Sequence, residues 1–168
     1  MADAPPFDPY AILAALERRR VAYVVIGAFA RVVHGAEEMT DGLDLAPSRK
    51  NENLQRLALA LADLGAERVD GKKHALDGET LEPVTALTTP VGEMKIVPEP
   101  AGTRQGYDDL RRAATREPIG KGLRPQVASI GDLARMLASL GRERDEPKLR
   151  ALRRLSELER SLGPRLGL

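Results

Sequence analysis

Two short segments limit what this chain can fold into. Tyr23-Val24-Val25-Ile26 closes an apolar run, Val21 to Ile26, rich in β-branched residues, and Gly27-Ala28 breaks it. Thr40-Asp41-Gly42-Leu43-Asp44-Leu45 then places a carboxylate on a second strand whose core is Leu43 to Leu45. A near-continuous apolar run reads as a strand buried on both faces. Side chains alternate along a strand, so Asp44 and position 42 share one face and Asp41 points away. Between the segments, Phe29 to His34 reads as a short helix closed by Gly35.

The flanking sequence surrounds this unit with further helices and strands. Asp8-Pro9 opens a helix with a capping acid and a proline at its first position, and Ile12, Leu13 and Leu16 form its apolar face. Arg18 to Arg20 lie at its electronegative end. After Pro47, Ser48 is the expected cap of a long helix bearing Leu54, Leu57, Leu61 and Leu64, stopped by Gly65. Asp70-Gly71 and Asp77-Gly78 mark turns in a weakly patterned stretch. Val84 to Thr88 and Met94 to Val97 read as strands joined through Thr89-Pro90-Val91-Gly92. Tyr107 to Ala114 reads as a helix, and Gln126 to Ala128 as a brief strand. Ser129 with Asp132 starts a helix ended by Gly141, and a last helix from about Asp145 runs to Pro164. The expected architecture is α/β (α+β): a mixed β-sheet flanked by helices, one domain over 1–168. The sheet core spans about 8–128, and two C-terminal helices, about 129–163, pack on it.

Composition narrows the function classes. The 26 basic and 25 acidic residues leave a net charge of +1, which gives no general polyanion-binding signal. The basic clusters Arg18 to Arg20, Arg111-Arg112 and Lys148 to Arg154 read as solvated helix faces, so nucleic acid is not an expected partner. There is no cysteine, hence no disulfide framework or thiolate metal site. No apolar run approaches the ~20 residues of a membrane span. Met1 to Pro6 carries no apolar signal region, and a cytoplasmic protein is the expectation. His34 and His74 are too far apart in sequence for a zinc pattern. His34 reads as a hydrogen-bonding residue near the turn, with a phosphate or base contact as the functional alternative, and His74 reads as exposed. Asp108 and Asp109, adjacent on a helix, point in different directions and chelate one ion poorly.

Taken in order, several segments resemble small bacterial nucleotidyltransferase-like proteins related to the AbiEii-type toxin family. They are Val25 to Ala30, Val33 to Ala36, Thr40 to Leu45, Leu87 to Ile96, Pro100 to Gly102, Gly106 to Leu110, Val127 to Leu133 and Gly141 to Asp145. The resemblance implies transfer of a nucleoside monophosphate from a nucleoside triphosphate to a hydroxyl. It implies magnesium held by two acids on one strand and a third on a neighbouring strand. It also implies that the Gly27-Ala28 turn and the following helix N-terminus approach the phosphates. In that alignment the first acid is Gly42, the second is Asp44 and the third is Lys95. Ala28 stands where glycine is common, and Leu137 where lysine is common.

These substitutions leave several readings. The leading one is a nucleotidyltransferase-fold protein with a degraded two-metal site, inactive in transfer but retaining nucleotide, small-molecule or partner binding. In it Lys95 pairs with Asp44 and occupies the place of the cation. A second is an active magnesium-dependent enzyme in which a bulge turns Asp41 inward beside Asp44 and Glu93. A third is a repurposed pocket lined by Met39, Met94 and Leu137, where Lys95 acts as an amine nucleophile in Schiff-base chemistry. A fourth is an antitoxin-like protein partner docked on the last two helices through Arg142, Arg144, Lys148, Arg150, Arg153 and Arg154. The candidate residues are Lys95 and Asp44 for catalysis, Gly27 and Ala28 for the nucleotide, and Asp44 with Glu93 for metal.

Overall fold

The computed structural model describes residues 6–73 and 81–162. Met1 to Pro5, His74, the turn at Asp77-Gly78 and the stop at Pro164 lie outside the described residues. The elements are α1 (Pro9–Arg18), β1 (Tyr23–Ile26), α2 (Gly27–Val33), β2 (Gly42–Pro47), α3 (Asn51–Asp63), β3 (Glu67–Arg68), β4 (Thr85–Thr89), β5 (Gly92–Ile96), α4 (Tyr107–Leu110), β6 (Thr115–Arg116), β7 (Gln126–Val127), α5 (Ile130–Leu140) and α6 (Glu146–Ser161). A 3-10 turn, Glu143–Asp145, precedes α6. One mixed sheet holds all seven strands in the order β3-β4-β5-β2-β1-β7-β6. β2 pairs antiparallel with β1 and parallel with β5, so it sits at the centre.

Strand alternation divides the sheet into two unlike faces. Leu43, Leu45, Leu87, Met94 and Ile96 are essentially inaccessible. They share one apolar cluster with Ile12, Leu13 and Leu16 of α1 and Leu54, Leu57 and Leu61 of α3. The register Gly42↔Glu93 and Asp44↔Lys95 puts these four residues together on the other face. There α2 lies beside β1 and β2, and α5 packs on α2. α6 packs against α5 through Leu149 and Leu152 rather than lying directly on the sheet.

Several local expectations hold for the reasons given. Asp8 Oδ1 accepts the Ala11 amide and caps α1. Ser129 Oγ accepts the Asp132 amide, and Gly141 closes α5 in the left-handed conformation. Pro90-Val91 is the two-residue turn of the β4–β5 hairpin, where Thr89 Oγ1 donates to Gly92 O at 2.8 Å and accepts from the Val91 amide.

Others differ. Ser48 does not cap α3: Lys50 occupies that position without a side-chain bond. Instead the Ser48 amide donates to Ala22 O, continuing the β1–β2 contact past Pro47. Helix α2 starts at Gly27 itself, not at Phe29. The helix expected through Ala114 stops at Leu110, because the chain must turn into β6 at the sheet edge. β3 and β6, two residues each, had no readable pattern.

Asn53 secures the junction of β1, β2 and α3. It is 1% exposed. Its Oδ1 accepts the Ala22 amide at 2.7 Å, and its Nδ2 donates to Ala22 O and Ser48 O. Asn53→Ala removes these partners from the Ala22 amide and Ser48 O, while Ala22 O keeps the Ser48 amide, and is expected to cost about 2–4 kcal/mol. Urea denaturation of the two proteins checks this, and a loss below about 0.5 kcal/mol would contradict it.

Candidate functional site

The site is built where β1 runs into α2. Because Ile26 pairs with Asp44, the next residue, Gly27, lies directly over the Asp44 side chain. Gly27 has φ +73°, and a Cβ there would stand 2.6 Å from Asp44 Oδ2. Both the backbone conformation and the space therefore require glycine. The first amides of α2 have no intrahelical partners. Gly27, Ala28 and Asp44 open onto a cavity of about 430 Å³. Its wall is mainly apolar, including Ile26, Val84, Val97, Pro100, Leu133, Met136, Leu137 and Leu140, and its charged members are Asp44, Arg31, Glu99 and Arg142.

The Asp44 carboxylate has no hydrogen bond or ion pair within 4 Å among the described residues. Burial pushes its pKa up, against the opposing influence of Lys95 and then Arg31. Lys95 and Glu93 are exposed and do not line the cavity. The expected Asp44–Lys95 ion pair is thus not formed, and the ammonium acts on Asp44 through space only. Nor is there a bulge: β2 pairs without interruption on both sides, and Asp41 is an exposed residue ahead of the strand. The methionines expected beside Lys95 are elsewhere. Met39 is fully exposed, and Met94 is buried on the opposite face of the sheet. Leu137 alone of that set lines the cavity.

Two arginines contribute to the wall: Arg31, outside every segment of the resemblance, and Arg142, expected only as a docking residue. Arg31 lies one helical turn beyond Gly27 and is 6% exposed. Its Nε and Nη2 donate to the two carboxylate oxygens of Glu38 at 2.7 and 3.1 Å. Arg142 follows α5, and its Nε donates to Asp145 Oδ2 at 2.6 Å. Asp145 is completely buried, with Lys148 Nζ 3.7 Å from its other oxygen. The Arg142 hydrogen bond holds the Asp145 pKa below the ordinary range against its burial. Glu99 is engaged by Arg49. The only sequence signal for Arg31 was a lone cation within an apolar helix. His34 does not face the cavity's charges: its Nε2–H donates to Ala128 O at 2.7 Å and ties α2 to the end of β7. Asp109 accepts the Arg104 and Gln105 amides, a turn-closing role. Arg150, Arg153 and Arg154 are exposed on α6, whereas Arg142 and Lys148 are directed to Asp145.

Magnesium prefers hard oxygen ligands in near-octahedral order. Among the described residues no group of three or more acids or histidines could hold a metal ion. Gly42 supplies no ligand, Lys95 stands directly across from Asp44, and Glu93 is one pleat away on the neighbouring strand. These residues do not fit a two-metal centre.

Known structures place the architecture. The chain has the nucleotidyltransferase fold. It is similar to ANT(2'')-Ia in complex with adenylyl-2''-tobramycin, with TM-score 0.60 and 16% identity, covering 92% of this chain and 87% of that one. It is similar to TM1012 of Thermotoga maritima, assigned as a nucleotidyltransferase, with TM-score 0.58 and 16% identity over 91% and 97% of the two chains. It is also similar to the lincosamide adenylyltransferase LnuA bound to lincomycin, with TM-score 0.59 and 17% identity over 88% and 95%. At these identities the likeness is one of fold. In sequence, the chain is 35% identical over 127 residues to ATP synthase subunit alpha of Pseudoalteromonas translucida, a match covering 76% of this chain and 22% of that protein. No family model matches the chain.

Two outcomes follow from the Gly27–Asp44 contact. Gly27→Ala is expected to lose about 1–3 kcal/mol, with part recovered in an Asp44→Ala background, as a double-mutant cycle in urea would measure. The second concerns pH. A carboxyl whose folded pKa is raised binds its proton more tightly folded than unfolded. Its contribution to stability is full below the unfolded pKa and is lost as pH rises through the folded pKa. Asp44→Asn is therefore expected to gain stability relative to the parent as pH rises from about 3 to 7. Parallel denaturation curves across that range check the sign, and a constant difference would contradict it.

Proposed function

We propose that this protein binds a small molecule in the cavity beside Asp44 without magnesium and does not carry out nucleotidyl transfer. The observation that carries this reading is the register Gly42↔Glu93, Asp44↔Lys95. It assembles on one sheet face a missing acid, a surviving acid and a cation at the third acid's place in the family resemblance. A metal ion approaching Asp44 meets the field of the Lys95 ammonium, and like charges at such range repel appreciably even in a well-screened site. The fold neighbours that bind an adenylylated aminoglycoside or lincomycin support a small-molecule role. The sequence likeness to ATP synthase subunit alpha suggests a nucleotide as one ligand, but the chain has no G-x-x-x-x-G-K-[S/T] phosphate loop to support ATP hydrolysis. Toxin–antitoxin pairing has less support, since the basic residues free for docking are the scattered exposed arginines of α6.

Calorimetric titration with ATP, with and without magnesium, tests the proposal. The expected result is no magnesium dependence of any heat of binding. Magnesium-dependent ATP binding would overturn it and restore the enzymatic reading. The companion variant carries Gly42→Asp and Lys95→Asp together. It is expected to acquire magnesium binding that neither single change confers. A Cβ at Gly42 would lie 3.0 Å from Glu93 O, so β5 must give by a few tenths of an ångström for the acid to enter.

A further inference from the structure

The charged groups of the cavity wall are not equivalent. Arg31 has its Nε and Nη2 taken by Glu38, and no partner for Nη1 is found among the described residues. Among the described residues Arg142 has only Nε engaged, by Asp145, leaving both terminal nitrogens. Each guanidinium is therefore fixed from behind by a carboxylate and still carries N–H donors. Of the two acidic wall residues, Glu99 is already neutralised by Arg49. The remainder of the wall is apolar, with Val84, Val97, Leu133, Met136, Leu137 and Leu140. A volume of about 430 Å³ falls in the range of small-ligand sites.

From this arrangement we infer that the ligand is an amphipathic anion: an apolar or planar body against the α5 wall, and one anionic head on Arg142, held in place by Asp145. The inference rests on the metal-free binding reading above and names its ligand class. A guanidinium oriented by a buried carboxylate receives an oxyanion with little loss of rotamer freedom, and its planar fork suits carboxylate, sulfonate or phosphate groups. No metal is required, because the protein's own cation supplies the countercharge. Asp145 is a positioning residue: it touches Arg142, not the cavity. Asp44 is set against the anion, and its upward pKa shift lessens that opposition.

The test uses two fluorescent probes of nearly the same apolar body, anilinonaphthalene sulfonate with one negative charge and phenylnaphthylamine with none. They are titrated into the full chain without divalent metal. The unmodified protein is expected to bind the sulfonate more tightly than the neutral probe. Arg142→Gln is expected to weaken the sulfonate about tenfold and leave the neutral probe unchanged. Arg142→Gln leaves the buried Asp145 carboxylate with Lys148 alone, so urea denaturation of the variant accompanies the titration, and unchanged binding of the neutral probe shows that the cavity is intact. Asp145→Asn is expected to weaken the sulfonate selectively as well, with partial rescue by Asp145→Glu. A merely structural role would weaken both probes together. No sulfonate binding, equal affinity for the two probes, or equal losses in Arg142→Gln overturn the inference. None of those results requires magnesium-dependent ATP binding, the separate result that would overturn the underlying reading.

Discussion

Gly27 passes so close to the Asp44 carboxylate that no side chain fits between them, and the geometry of the cavity depends on that approach. The β1–β2 register brings Ile26 opposite Asp44, the left-handed glycine turns the chain, and α2 begins at once. Since α2 begins at Gly27, Arg31 comes one turn later on the same side of the helix. Glu38, in the return loop to β2, then closes the fork on Arg31. Moving the helix start by two residues would rotate Arg31 by about 200° and remove it from the wall. A single backbone conformation thus fixes an acid and an arginine relative to one another.

The same face bears on how these residues meet a metal ion. A two-metal centre needs several oxygen ligands converging within a few ångströms. Here the central strand offers one carboxylate, and the pleat places Gly42 and Lys95 in the positions nearest to it. Burial drives Asp44 toward its neutral form. Lys95 and Arg31 oppose that shift without forming an ion pair with it. The acid is left accessible to the cavity and only partly compensated.

Much of this was legible from the chain. Helix α1 with Asp8, α5 between Ser129 and Gly141, and the strands around Val25, Leu43 and Leu87 follow from caps and periodicity, which are local signals. The shared face of Gly42, Asp44, Glu93 and Lys95 follows from alternation once β2 and β5 are taken as neighbours. What the sequence did not disclose are partnerships between residues that no period relates. Asn53 with Ala22, Arg31 with Glu38, and His34 with Ala128 depend on how finished elements meet. Ser48 was misread as a cap because its composition suits one, whereas tertiary pairing with Ala22 claimed its backbone instead. Met94 does not line a pocket with Lys95, because neighbours on a strand point to opposite faces and Met94 is buried on the other one.

The Arg142–Asp145 contact is more than a packing device. The Arg142 hydrogen bond, with Lys148 beside the other oxygen, outweighs the desolvation of the completely buried carboxylate. Apolar residues of similar volume would serve the α5–α6 junction at least as well, and Leu149 and Leu152 already fill it that way. The contact does accomplish one thing that apolar packing cannot. It holds a guanidinium at the edge of a cavity with its terminal N–H groups unspent. Arg31 of α2, forked by Glu38 in the loop before β2, repeats the pattern. Two arginines, each braced by a carboxylate and set in a mainly apolar wall, amount to a countercharge built into the protein on the Asp44 side of the sheet.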